Sequence, residues 1–147
     1  MGCTAEVLAF YDQSYVVGHV GDSRTYLFRE GQLRQITRDH SVVQEQLDEG
    51  LITPEEARNH ALRHVILRAV GVRDTLAVDL IRGKNRPGDI FLLCSDGLTD
   101  MVEDTLIREV LVLSLGLNQK VDRLIELAKS AGGRDNITVI LCEVIPS

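Results

Sequence analysis

Tryptophan is absent from this 147-residue chain, and aromatic residues make up only 4% of it. The core must therefore be aliphatic, built from Leu, Val, Ile and Ala. Cysteine is scarce too: Cys3, Cys94 and Cys142 are an odd count with no CxxC pairing, so a zinc or dithiol motif of that kind is excluded. Two of them sit in the apolar runs FLLCSDG and TVILCEV and read as reduced, structural thiols. No apolar run reaches the ~18 residues of a membrane span. The opening MGCTAEVLAF lacks the basic region of a signal peptide. Its MGCT start only half matches a myristoylation signal, because position 6 is Glu6. A cytoplasmic protein without a membrane segment is expected. Positive charge is also short, with 16 basic against 22 acidic residues and a formal net charge of −6. Nucleic-acid binding over a whole face needs the opposite sign.

What is present fits one globular domain, with 44% hydrophobic and 26% charged residues. The first third reads as four short strands, Thr4–Phe10, Ser14–Gly21, Arg24–Glu30 and Gln32–Thr37. Turn signals separate them at Tyr11-Asp12-Gln13, Gly21-Asp22-Ser23 and Glu30-Gly31, which predicts an antiparallel meander. Ser41 is placed to cap a helix through Glu49, with Val42, Val43 and Leu47 as its apolar positions. Thr53-Pro54-Glu55-Glu56 is a second helix start. The basic stretch Arg58–Arg73 has few apolar anchors and is expected to be partly exposed and mobile. Strands resume at Leu76–Ile81, and after the Arg86-Pro87-Gly88-Asp89 turn the run Asp89–Ser95 reads as a central buried strand. A helix near Thr105–Leu115 is expected to bury Leu106, Ile107, Val110 and Leu111. Another near Gln119–Ala131, capped by Asn118 and stopped by Gly132, is expected to bury Val121, Leu124, Ile125 and Ala128. Ile137–Val144 closes the chain as a strand. Segregated runs of strands and helices predict an α+β fold with antiparallel sheet.

Three segments could carry chemistry: VGDSR at Asp22, CSDGLTD at Asp96 and GGRDNITV at Asp135. Each sets an Asp at the end of an apolar strand, before a small or polar residue. Carboxylates gathered this way into one crevice suit hard divalent cations such as Mg²⁺ and Mn²⁺. Gly97 permits close backbone approach, and Asn136 offers an amide to orient water. An Asp in this setting is also an ordinary turn former, as Asp12 and Asp89 are read here, and spacing alone does not separate the two. GxxxxGKS/T, GxSxG and HExxH motifs are absent. The four histidines, His19, His40, His60 and His64, have no zinc-type spacing.

The strings VGDSRTYLFREGQLRQITRDHS, HALRHVILRAVG, PGDIFLLCSDGLTDMV and GGRDNITVILCEV resemble, in order and spacing, the metal-dependent protein phosphatase family. These are the type 2C protein serine/threonine phosphatases, and the ITRDHS and TPEEARNH segments look like the bacterial branch. The resemblance implies an antiparallel β-sandwich flanked by helices. It implies Asp96 and Asp135 as ligands of a catalytic Mg²⁺ or Mn²⁺ centre, and Asp22 as a ligand, with Asp96, of a third, weaker metal. Residues 41–71 match a flap-like insertion beside the active site. Within it, His64 stands where some relatives carry a Ser that also reaches the third metal.

The family's early motifs are not among these strings. They are a phosphate-gripping Arg, a DGMGG-type segment whose Asp bridges two metals, and a His proposed as general acid. Residues 1–147 therefore resemble a single partial domain, the C-terminal part of the catalytic domain. The implied function is hydrolysis of phosphoserine and phosphothreonine by metal-activated water, weak or nil in this chain alone. The implied partners are phosphorylated proteins, a cognate Ser/Thr kinase, and a second copy covering the incomplete sandwich. The alternative is a pseudophosphatase-like module that binds phosphoproteins or a kinase without turnover.

Overall fold

The computed structural model describes every residue from Met1 to Ser147. The chain opens as an antiparallel hairpin of β1 (Ala5–Tyr11) and β2 (Ser14–Val20). Asp12 takes the left-handed conformation of its two-residue turn, with φ 52°. The next hairpin, β3 (Arg24–Arg29) and β4 (Gln32–Gln35), turns at Glu30-Gly31, where both φ angles are positive. That pair of angles is the twist-matched turn a two-residue hairpin requires. Helix α1 (Val42–Asp48) starts at Ser41, whose hydroxyl accepts from the Gln44 amide, and α2 (Pro54–Arg58) starts at Thr53, which accepts from Glu56. Strands β5 (Asp79–Lys84) and β6 (Ile90–Cys94) follow, then α3 (Asp96–Thr99), α4 (Asp104–Val112), α5 (Leu117–Ser130) and β7 (Val139–Glu143).

The strands form two wholly antiparallel sheets, one ordered β1-β2-β5 and the other β4-β3-β6-β7. The sheets face each other through Tyr15 and Val17 of β2 and through Leu27 and Phe91 of β3 and β6. Phe91 takes both Phe10 and Tyr15 edge-on, with ring centroids 5.4 and 4.9 Å away. Pleating sends the alternate residues of the second sheet, Tyr26, Leu92 and Cys94, to its other face, where they pack on Leu98, Ile107, Val110, Leu111, Leu124 and Ala128 of α3–α5. The expected α+β sandwich is thus present, with helices against one sheet and none against the outer face of the other. On that outer face Val7 and Leu80, brought into one row by Gly18 between them, are 60% and 64% exposed.

Several expectations shift. The strand expected at Leu76–Ile81 begins at Asp79, which makes the last ladder pair with β2 at His19; Leu76 and Val78 make none. Helix α4 buries Ile107, Val110 and Leu111 but leaves Leu106 exposed, one residue off the sheet-facing stripe. Helix α5 starts at Leu117 rather than after an Asn118 cap, and the Gln119 side-chain oxygen accepts from the Gly116 amide at 3.1 Å. Val121 and Ile125 are half-buried, while Lys120 is buried and donates to the Leu111 carbonyl at the end of α4. Its cation there complements the negative end of that helix. Asp89 is more than a turn residue: it is buried and takes a two-pronged bond from Arg29 at 2.8 and 2.7 Å. Burial alone would raise its pKa, but the bonds from Arg29 and the Arg86 amide more than offset this and hold it below the usual carboxylate value.

Candidate metal centre

The β2–β3 connection, the β6–α3 junction and the α5–β7 connection emerge on the same side of the sandwich. Together with residues 41–71 they enclose an open cleft of about 1050 Å³. Asp22, Gly97, Asp96, Asp135 and His64 all line it; Asn136 does not.

Asp96 is the first residue of α3, a single helical turn. A helix places residues four apart on one face. Asp100 therefore lies beside Asp96, with its amide bonded to the Asp96 carbonyl at 2.8 Å. Ligating atoms of His64, Asp96 and Asp100 all lie within 4.8 Å of one another, and His64 Nδ1 stands 3.5 Å from the Asp100 carboxylate. Asp100 closes the SDGLTD string, where nothing in the local pattern sets it apart. Reading LTD as one turn of helix, rather than as loop, would have found it.

Asp135 precedes β7 instead of leaving a strand, and its Oδ1 accepts from the Asn136 amide at 2.7 Å. The Asn136 backbone locks this loop onto the α3 junction. Its carbonyl accepts from Ser95 Oγ at 3.3 Å, and Ser95 Oγ in turn accepts from the Thr138 amide at 3.0 Å. A Cβ on Gly97 would lie 2.0 Å from that carbonyl. The close approach expected at Gly97 is therefore made by the chain's own Asp135 loop.

Asp22 follows β2 and is partly buried. Burial, together with the charges of Asp96, Asp39 and Asp100, pushes its pKa up to about 7. Asp100 is raised as well, first by burial and then by Asp96, with His64, Arg24 and Arg63 pulling the other way. A cleft that stacks carboxylates until they resist ionisation has the donor chemistry of a hard-cation site. One nearby charge is already committed. Arg24 grips Asp39 with Nε at 2.9 Å and a terminal nitrogen at 2.8 Å, while its other nitrogen donates to Tyr26 at 3.0 Å. Neither Arg24 nor Asp39 stood out in the sequence, because the pairing joins β3 to a loop fifteen residues away.

The family model described as "Protein phosphatase 2C" matches residues 1–46. The chain is 44% identical over 143 residues to the "Serine/threonine phosphatase stp" of Listeria monocytogenes, covering 97% of this chain and 57% of that protein. It is 44% identical over 145 residues to the "Serine/threonine protein phosphatase PstP" of Mycobacterium tuberculosis, covering 99% of this chain and 28% of the relative. A crystal structure of that Mycobacterium tuberculosis phosphatase superposes with a TM-score of 0.93 at 43% identity, covering 99% of this chain and 61% of the other. The catalytic domain of PstP solved "in complex with 2 Manganese ions" superposes at 0.89 and 42% identity, over 97% of this chain and 59% of that one. The chain thus spans 57% of the length of the Listeria relative, a little over half.

Proposed function

We propose that this chain, which belongs to the bacterial protein phosphatase 2C family, is the metal-carrying part of a protein serine/threonine phosphatase. The observation that carries the reading is the meeting of Asp22, Asp96 and Asp135 in one cleft, in a chain over 40% identical to serine/threonine phosphatases along nearly its whole length. In this reading Asp96 and Asp135 hold the catalytic Mg²⁺ or Mn²⁺, Asp22 joins Asp96 at a weaker site, and Gly97, Asn136 and His64 support them. Bound divalent cations supply Lewis-acid charge and acidify water near neutral pH. The protein's own part is to present the carboxylates, to keep Asp96 and Asp135 in register through Ser95 and Gly97, and to border the cleft with residues 41–71 as a flap. The substrates are phosphoserine and phosphothreonine in proteins, phosphorylated by a partner Ser/Thr kinase in a cytoplasmic signalling circuit. No helix is long and apolar enough to cross a membrane.

Manganese titration of the chain against Asp96→Ala tests the reading: loss of most Mn²⁺ binding in the variant is expected, and equal binding would overturn it. Hydrolysis of a phosphopeptide by the isolated 147-residue chain is expected to be weak or nil, because the residues that match the family's motifs lack a bridging aspartate. Rapid Mn²⁺-dependent turnover would refute that part. A phosphoprotein-binding module without turnover is the second reading, favoured by Arg58, Arg63 and Arg134 around the cleft. A second copy is the proposed cover for the outer face of the β1-β2-β5 sheet, where Val7 and Leu80 stand exposed. Sedimentation should find self-association that Leu80→Ser weakens.

A further inference from the structure

His40 is buried and lies outside the cleft that holds the carboxylates. Every hydrogen-bonding atom it has is used. Its backbone N–H donates to the Gly21 carbonyl at 2.8 Å, and the Gly21 N–H donates back to His40 Nδ1 at 3.0 Å. This closes a two-way clamp on the residue immediately before Asp22. The His40 carbonyl accepts from the Leu67 amide at 2.8 Å, and two residues on, Val42 donates to Val65. Residues 41–71 therefore leave and re-enter the body at His40. On the far side of the ring, Nε2 faces the Asp79 carboxylate at 2.8 Å, and that carboxylate also accepts from Arg68 at 3.0 Å, beside Leu67.

The donors fix the tautomer. A backbone N–H can only donate, so Nδ1 must present its lone pair to Gly21, and the ring proton sits on Nε2 toward Asp79. The neighbouring ring is held in the opposite condition. His19, tilted against it with 4.5 Å between centroids, points Nε2 at the Arg38 carbonyl at 2.7 Å and Nδ1 at the Glu6 carboxylate. Two acceptors ask for protons on both of its nitrogens.

From this geometry we propose that His40 is a positioning residue for Asp22. Through Nδ1 it holds the Gly21–Asp22 turn, and through its carbonyl it fixes the returning limb of residues 41–71 to the same point. Cation affinity at the Asp22 side of the cleft therefore depends on an acceptor at the Nδ1 position. The inference rests on Asp22 being a cation ligand, as proposed above.

The test uses the whole chain, with Mn²⁺ alone as probe, and compares His40→Asn with His40→Gln. An Asn side-chain oxygen takes the place of Nδ1 and keeps the bond from Gly21. A Gln side-chain nitrogen takes the place of Nε2 and keeps only the tie to Asp79. His40→Gln should weaken Mn²⁺ binding roughly tenfold, toward the affinity of Asp22→Ala, while His40→Asn should stay within about twofold of the parent. The Gly21 amide should lose hydrogen-exchange protection in His40→Gln and retain it in His40→Asn. Circular dichroism should show both variants folded. A role confined to packing would lower stability in both variants alike and leave Mn²⁺ affinity unmoved, which would overturn the proposal. If Asp22→Ala itself leaves Mn²⁺ binding unchanged, the ligand assignment of Asp22 fails and the inference falls with it. If Asp22→Ala weakens binding but His40→Gln does not, the inference alone fails.

Discussion

The β4-β3-β6-β7 sheet is covered on both faces, by the other sheet and by α3–α5, whereas the β1-β2-β5 sheet is covered on one. The difference shows in their residues. In β6, four of five residues are buried; in β1, none are, although its sequence AEVLAFY is largely apolar. The fully covered sheet also adjoins the candidate site. Asp96 and the loop of Asp135 adjoin β6 and β7, and Asp22 lies on the first of the three links by which the chain crosses between the sheets. Metal ligands need fixed geometry, and a packed layer supplies it at its strand ends. A sheet with a bare face can hold its backbone ladder but contributes less rigidity.

The contrast is most severely tested at Leu124, fully buried between α5 and the covered sheet. Leu124→Ala should lower the unfolding free energy by about 2–5 kcal/mol, read as a denaturant midpoint. A loss under about 1 kcal/mol would show that the helical layer is not what stabilises the chain. Gly97→Ala should cost about 1–3 kcal/mol, because the new methyl meets a backbone carbonyl that can move only by opening the Ser95–Asn136 contact. It should also weaken Mn²⁺ binding, and unchanged stability would mean that the two loops are not locked together.

A smaller effect is expected between the sheets. Burial alone would lower the pKa of His19, but the hydrogen bond and charge of Glu6 more than offset this and raise it above 6.5. The folded state therefore holds this proton more tightly than the unfolded chain. Its contribution is complete below pH 6.5 and is lost as pH rises through the raised folded value. Glu6→Gln should flatten that slope, and a slope unchanged in the variant would remove Glu6 as its cause. Smallest of all, Leu80→Ser on the bare face should leave the denaturation midpoint of the dilute chain within about 0.5 kcal/mol. A larger loss would mean that this face is covered even at dilution.

Much of the fold was legible because local chemistry and tertiary structure agree. Ser41 and Thr53 cap the helices their side chains announce, and Glu30-Gly31 makes the tight hairpin its residues favour. The errors fall where a partner decides. Leu76–Val78 is apolar enough for a strand but makes no ladder pair, the pairing with β2 ending at His19–Asp79. Leu106 is apolar but sits off the stripe that α4 turns toward the sheet.

The site divides the same way. Its carboxylates at Asp22, Asp96 and Asp135 were readable from the turns that carry them, and the family from four strings in order. The residues that organise those carboxylates were not. Asp100 joins Asp96 only because α3 is a helical turn. Arg24 finds Asp39, and His40 finds Gly21 and Asp79, across gaps of 15 to 39 positions. Composition, caps, turns and the aspartate-bearing motifs are local properties, so the amino-acid sequence by itself determined them. Which polar groups meet in the closed structure, and which sheet face is left bare, only the tertiary packing decided, because hydrogen bonds and burial depend on distance in space rather than along the chain.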